Sequence, residues 1–310
     1  MTAIIGGLGA AILWAAATLA SSRSSRMIGS RVVLAWIMIV GTVVGLPLAL
    51  ATGVPANVNG EVLVYLAIAG MSYSGGLYAT YRALTIGKVS IVAPIVATEG
   101  AIAALLAIAL GDALALGSIV VLAVIAVGVV LSSMDPARPD VPAGDIELAA
   151  DALDGPPAEA GSFAASAAPA HTDTRQAVLL SVVAAAIFGI GLVASGKAAV
   201  LIAPVWVALA ARLVGLVLVA VPLLVQRRLT VTRAALPLVV LSGTAEILGS
   251  TLSAWGATDS IAIVAVLGSQ FAAIAAVAAF LLFGERLSRL QTAGVATIVI
   301  GVTALAVLQA

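Results

Sequence analysis

The chain predicts an all-α integral membrane protein, with ten transmembrane helices arranged as two inverted five-helix repeats around a central cavity. Three observations lead there: composition, apolar runs of bilayer length, and self-similarity at a fixed spacing. The 310 residues are 63% hydrophobic and 9% charged, with a mean hydropathy of +1.23, whereas a soluble domain carries roughly 25% charged residues. Crossing about 30 Å of hydrocarbon at about 1.5 Å per residue takes about 20 apolar residues. Runs of that length, bounded by charge, proline or glycine, occur ten times.

The spans fall at 3–20, 32–51, 62–79, 89–110 and 113–131, then at 177–195, 203–225, 235–255, 261–283 and 290–308. The first lacks the basic leader of a secretory signal and is followed by Arg23 and Arg26, so it reads as a retained helix. Loops within each group of five are short. Between the groups, residues 132–175 are rich in Ala, Pro, Asp and Glu. Their acids Asp135, Asp140, Asp145, Glu147, Asp151, Asp154, Glu159 and Asp173 face only Arg138 and Arg175. Such a stretch repels itself and cannot form a core, so it reads as a disordered linker. The expected organisation is a first repeat at 1–131, the acidic linker at 132–175 and a second repeat at 176–310.

A shift of about 173 residues brings the halves into register. It places Gly111-Asp112 on Gly284-Glu285, Gly128 on Gly301, and Ala20-Ser21-Ser22-Arg23 beside Ala194-Ser195-Gly196-Lys197. Pro47 and Pro222 also fall similarly in the second helix of each half. Because five is odd, the second half enters the bilayer from the opposite face. Inverted repeats of this kind build many secondary transporters, whose sites lie near the midplane.

Alternate loops then divide the charges sharply. Of 14 Lys and Arg residues, all but Lys197 and the intramembrane Arg212 fall on one face. Basic loops stay cytoplasmic, which predicts a multi-pass protein of the cell inner (plasma) membrane with a cytoplasmic linker and external termini. The formal net charge of zero suggests no nucleic-acid partner. There is no cysteine, and the one histidine, His171, sits in the linker. Disulfides, thiolate chemistry, histidine triads and histidine-based metal cages are therefore excluded, and neither a cofactor, a metal nor a catalytic residue is expected.

Three ionisable side chains fall inside spans: Glu99, Arg212 and Glu246. A charge at a helix centre costs roughly 2.5 to 3.5 kcal/mol on insertion scales, so each should face a partner or a watery cavity. They either line a substrate or proton pathway or form a buried pair that holds helices together. Glu246 shares a helical face with Ser242, Gly243, Gly249, Ser250 and Ser253, a stripe that also suits close helix packing. Glu99 follows Pro94, which leaves a carbonyl near Ser90 without its helical donor. Gln270 holds nearly the position of Glu99 in the second half. Tyr73 matches Glu246 at the repeat offset, and Trp14 matches Phe188. Both aromatics are candidate cavity walls, and packing explains them equally well. A carboxylate shut away from water suits proton coupling and recognition of a cationic amine alike, and the sequence leaves both open. The candidate pathway residues are thus Glu99, Glu246, Arg212, Tyr73, Gln270, Trp14 and Ser250.

Two five-helix halves, Tyr81-Arg82-Ala83-Leu84 ahead of the fourth helix, and paired half-end signatures give the chain a family likeness. The first signature is Gly111-Asp112 followed by Gly128-Val129. The second is Phe283-Gly284-Glu285-Arg286-Leu287 followed by Gly294 and Gly301-Val302. In these features the chain resembles the EamA-type ten-helix group of the drug/metabolite transporter superfamily. The resemblance implies a basket of helices whose central cavity is lined chiefly by the first, third and fourth helices of each half. It also implies export or exchange of metabolites such as amino acids, without a fixed set of catalytic residues. The chain departs from that pattern in its longer acidic linker, in Asp112 where glutamate is commoner, and in a charge balance favouring external termini.

The expected function is a secondary transporter of a small metabolite, an amino acid or amphipathic solute, working by alternating access with mid-span carboxylates available for proton coupling. Its partners are then a small-molecule substrate and the lipid bilayer. The second reading is a non-transporting scaffold or sensor using the acidic linker. A membrane enzyme acting on a lipid is disfavoured because the acids of the loops, Asp112, Asp259 and Glu285, are isolated from one another.

Overall fold

The computed structural model describes residues 1–56, 58–86, 92, 95–133, 174–271, 273–274, 277–278 and 288–308. These residues contain helices and no strand. The helices are α1 (Thr2–Ile28), α2 (Ser30–Ala51), α3 (Gly60–Ile86), α4 (Glu99–Ala109), α5 (Leu116–Ser133) and α6 (Thr174–Leu201). They continue as α7 (Pro204–Val225), α8 (Leu236–Ala257), α9 (Ile261–Gly268) and α10 (Arg289–Leu308). The helix α7 is not uniform, since its middle, Leu216–Ala220, winds as a π-helix.

Among the described residues, α1, α2, α3, α6, α7 and α8 are long and apolar enough to cross a membrane. The helices α4, α5 and α10 are apolar but shorter. Parts of the expected fourth and ninth spans, with Pro94, and the signature around Gly284 lie outside the described residues, as do linker residues 134–173. The linker's expected edges are helical: Ser132 and Ser133 end α5, and Arg175 lies in the first turn of α6.

The helices present large aliphatic side chains outward, including Leu105, Leu116, Val225, Ile300 and Val307. Alanine is the commonest buried residue, with glycines and serines at close crossings and Ile125, Leu209 and Ile247 between them. This inverts the layout of a soluble protein and fits hydrocarbon as the surrounding solvent. With lipid outside, apolar burial no longer drives association, and close backbone approach takes its place. At the α5–α10 crossing a methyl on Gly294 would collide with the backbone nitrogen of Ser132 and lie 2.7 Å from the Gly128 carbonyl. One turn along, a methyl on Gly128 would lie 3.0 Å from Ile298, while one on Gly301 would meet Ile125 at 2.5 Å. The last two contacts exchange under the repeat offset.

The same exchange runs through the helix pairing. The helix α1 packs along α8 and α3 along α6, while α2 meets α7, α4 crosses α9 and α5 lies along α10. Swapping each helix with the one five places on returns the same pairs. Gly249 on α8 receives Trp14 of α1 at 2.9 Å from a would-be methyl, and Gly76 on α3 receives Phe188 of α6 at 2.6 Å.

Two short turns set up the face where α1 and α9 begin. Gly111, with a φ of 102° that side chains resist, turns the chain after α4 and delivers Asp112 to the start of α9. There one carboxylate oxygen accepts from the Ser260 hydroxyl at 3.0 Å and the Ala262 amide at 2.9 Å. Ser260 also caps the helix itself, accepting from the Ile263 amide at 3.3 Å. Asp259 does the same for α1, accepting from the Ala3 amide at 3.1 Å. Each of these two loop acids thus satisfies a helix N-terminus.

Replacing Asp112 by Ala should cost about 0.5 to 2 kcal/mol and lower the thermal midpoint in detergent, with Asp112→Asn, which keeps one acceptor, losing less. Gly294→Leu should cost about 1 to 3 kcal/mol by overpacking, read as a lower midpoint in the same assay.

Candidate functional site

Arg212 lies near the middle of α7, eight residues after Pro204 begins that helix. The side chain is 1% exposed, so its charge depends on partners within the protein. Those come from α8. One guanidinium nitrogen, Nη2, donates to the Glu246 carboxylate at 3.0 Å, the Glu246 backbone carbonyl at 3.1 Å and the Ser250 hydroxyl at 2.7 Å. Glu246 and Ser250 are one helical turn apart, so a single fork engages both. The Tyr73 ring of α3 covers the guanidinium carbon at 5.0 Å, a cation–π contact.

The neighbours are small where the arginine needs room. On α2 a methyl at Gly41 would lie 3.2 Å from Arg212 Cδ and 3.5 Å from its Nε. The remaining donors, on Nε and Nη1, have no hydrogen-bond acceptor among the described residues. An arginine has five N–H donors in a planar array, and here the fork is only partly engaged.

Beside this cluster lies a cavity of about 210 Å³, bounded by α2, α3 and α7. Arg31 and Gln226 stand at its outer end, at the start of α2 and the end of α7. Met38, Tyr73 and Gly215 stand deeper. The π-helical turn supplies Leu218 and Val219 to the wall, and inserted turns of this kind concentrate at functional sites. The cavity is therefore lined by the second, third and seventh helices. Trp14 wedges against Gly249 and against Gly268, where a methyl would lie 3.1 Å from its ring. It meets Phe271 edge-on at 6.4 Å between centroids.

The structure thus gathers Arg212, Glu246, Ser250 and Tyr73 into one contact group, with Trp14 packed on the adjoining turn of α8. Glu99 and Gln270 stand apart from it, where the beginning of α4 meets the end of α9. A methyl on Gly100 would lie 2.6 Å from Ser269 Oγ. Glu99 opens α4 and has no ion-pair partner among the described residues. Gln270 is 2% exposed, and its amide nitrogen has no acceptor there. Both helices are interrupted at this point. Thr98 and Gln270 each take a backbone carbonyl three residues back, at 3.1 Å and 3.3 Å. The hydroxyls of Thr98 and Ser269 bond back in the same way, at 2.6 Å and 2.9 Å.

Sequence reasoning missed Arg31, Met38, Gly215 and Leu218 as cavity residues. Met38, Gly215 and Leu218 sit in unbroken apolar runs that carry no sign of a π turn, and Arg31 reads there as an ordinary loop charge.

Arg212→Gln would strand the Glu246 carboxylate at depth, and should destabilise the fold by about 3 to 5 kcal/mol. Pairing it with Glu246→Gln should restore most of the loss. Thermal unfolding of both single variants and the double variant in detergent checks this as a double-mutant cycle.

A search of curated proteins finds no match to this sequence. Among solved structures, one described only as "Crystal structure of protein" is 16% identical, with a TM-score of 0.69, covering 99% of this chain and 97% of that chain. That likeness is one of fold, and it runs the length of both chains. The model of the EamA-like transporter family matches residues 1–134, which hold α1 through α5. These residues match a model of the drug/metabolite transporter superfamily, and the described helices include six long and apolar enough to cross a membrane.

Proposed function

We propose that this protein is a secondary carrier that moves a small metabolite across the plasma membrane by alternating access. The observation that carries the reading is the Arg212–Glu246 ion pair, held at 3.0 Å beside the inner end of a cavity whose mouth carries Arg31. A carrier needs a polar group at depth, a way in from one side, and a second arrangement that closes it. The interchange of helix partners between halves supports ten spans in two inverted repeats, because two such halves can exchange conformations and so move the opening from one face to the other.

The basic loops put the cavity mouth on the cytoplasmic side and both termini outside, with residues 134–173 as a cytoplasmic linker. Glu99, Glu246, Arg212, Tyr73, Gln270, Trp14 and Ser250 form the pathway in this reading. The Arg212 group is the anchor and the helix interruptions beside Glu99 and Gln270 the flexible part. Glu99 and Glu246 are the groups on which proton coupling would rest.

Purified protein in liposomes should exchange labelled for unlabelled solute in a counterflow assay against a panel of amino acids and small organic ions. Glu246→Gln should cut that exchange at least tenfold per folded molecule, the folded fraction being read from its thermal unfolding and size-exclusion profile. Deleting residues 134–173 should leave flux intact. Loss of flux on that deletion, together with loss of a bound cytoplasmic protein, would favour a scaffold, and wild-type flux in Glu246→Gln would remove Glu246 from the pathway.

A further inference from the structure

We propose that the cavity between α2, α3 and α7 admits a small carboxylate with an apolar body, and that Arg212 binds its carboxylate once Tyr73 moves off the guanidinium. The inference rests on the carrier reading and names the class of solute carried.

Three independent features point to an anion. The first is the arginine itself. Its side chain is 1% exposed, yet only Nη2 is engaged by Glu246 and Ser250, and Nε and Nη1 have no acceptor among the described residues. Buried donors without acceptors are costly, and an incoming carboxylate supplies what is missing. The second is the partition. Tyr73 lines the cavity on one side and stacks on Arg212 at 5.0 Å on the other. Tyr73 also interacts with the guanidinium through its hydroxyl, and a ring face with a neutral phenol oxygen is a weaker partner than a carboxylate, so an anion entering from the cavity can replace it. The third is the mouth, where Arg31 lines the entrance and Arg227 and Arg228 follow Gln226 in the next turn. A cluster of one sign at an entrance raises the local concentration of the opposite charge.

The walls between mouth and anchor set the rest of the ligand. Leu34, Met38, Leu77, Leu218 and Val219 are apolar, and Ser74 adds a hydroxyl. At about 210 Å³ the space falls below the ~300 to 1,000 Å³ of drug-sized sites. It suits a single ring or short branched chain. The carboxylate and Glu246 then share the guanidinium from different nitrogens, so Glu246 can stay in place when the solute binds.

The probes are phenylacetate, its neutral amide phenylacetamide, and the cation phenethylamine, which share one ring and differ in charge. Binding is read by thermal shift and by equilibrium dialysis of labelled probe with the full chain in detergent. Phenylacetate should bind wild-type protein at least tenfold more tightly than either analogue. The double variant Arg212→Gln/Glu246→Gln keeps the buried pair neutral, and should weaken phenylacetate by ~10 to 100-fold. Leu218→Trp, which fills the wall without touching the ion pair, should weaken it as well. Phenethylamine binding best, phenylacetate binding the double variant as well as wild type, or no preference among the three would each overturn the proposal. Counterflow separates the two claims: flux of a cationic or neutral solute with no carboxylate preference leaves the carrier reading standing and removes this one.

Discussion

A guanidinium buried near the middle of a transmembrane helix is the constraint around which the rest of this bundle is arranged. Water is not there to solvate Arg212, so the protein must do so, and its options are few. Glu246 and Ser250 meet it from one helix at 3.0 Å and 2.7 Å, Tyr73 covers it from another, and Gly41 clears space on a third. Four helices are thereby fixed in relative rotation. A shift of any of them by one residue would move its contact about 100° around the helix and strand a charge.

Elsewhere the bundle is held by shape. Gly6, Gly76, Gly249 and Gly294 lie where backbones or aromatic rings come close enough that a methyl would collide. In lipid these approaches replace the hydrophobic effect as the source of cohesion. Their arrangement in exchanging pairs, Trp14 on Gly249 and Phe188 on Gly76, means that each half supplies the socket for the other's aromatic side chain.

The sequence was informative where lipid dictates it. Apolar runs of bilayer length marked the positions of α1, α2, α3, α6, α7 and α8, because hydrocarbon thickness sets a minimum length that soluble helices do not obey. It also marked Arg212, Glu246, Tyr73 and Ser250, since charge at depth is expensive enough to stand out against an apolar background. It did not say that Arg212 pairs with Glu246 while Glu99 stands elsewhere, because pairing depends on helix rotation and on which helices are neighbours. Nor did it place a cavity between α2, α3 and α7, though it named Tyr73 as a candidate wall. The π turn at Leu216–Ala220 occurs within a run of leucine and valine that would serve a regular helix equally well, and Gly215 makes room for the Met38 thioether only because two helices cross there. The acids of the loops were seen as isolated, but their bonding to helix ends came from tertiary geometry.

Those acids bear on how the molecule can move. Asp112 belongs to the first half and holds the start of α9 in the second, while Asp259 belongs to the second half and holds the start of α1 in the first. Each half is thus tied down by a carboxylate of the other, and both ties lie at the face opposite the mouth of the cavity. The structure is latched on one side and open on the other. In the alternating-access cycle proposed above, both latches would let go together as the cavity side closes, exposing two helix ends to water. The short Gly-Asp signature would then be a clasp whose strength sets how long the proposed carrier dwells in the form seen here.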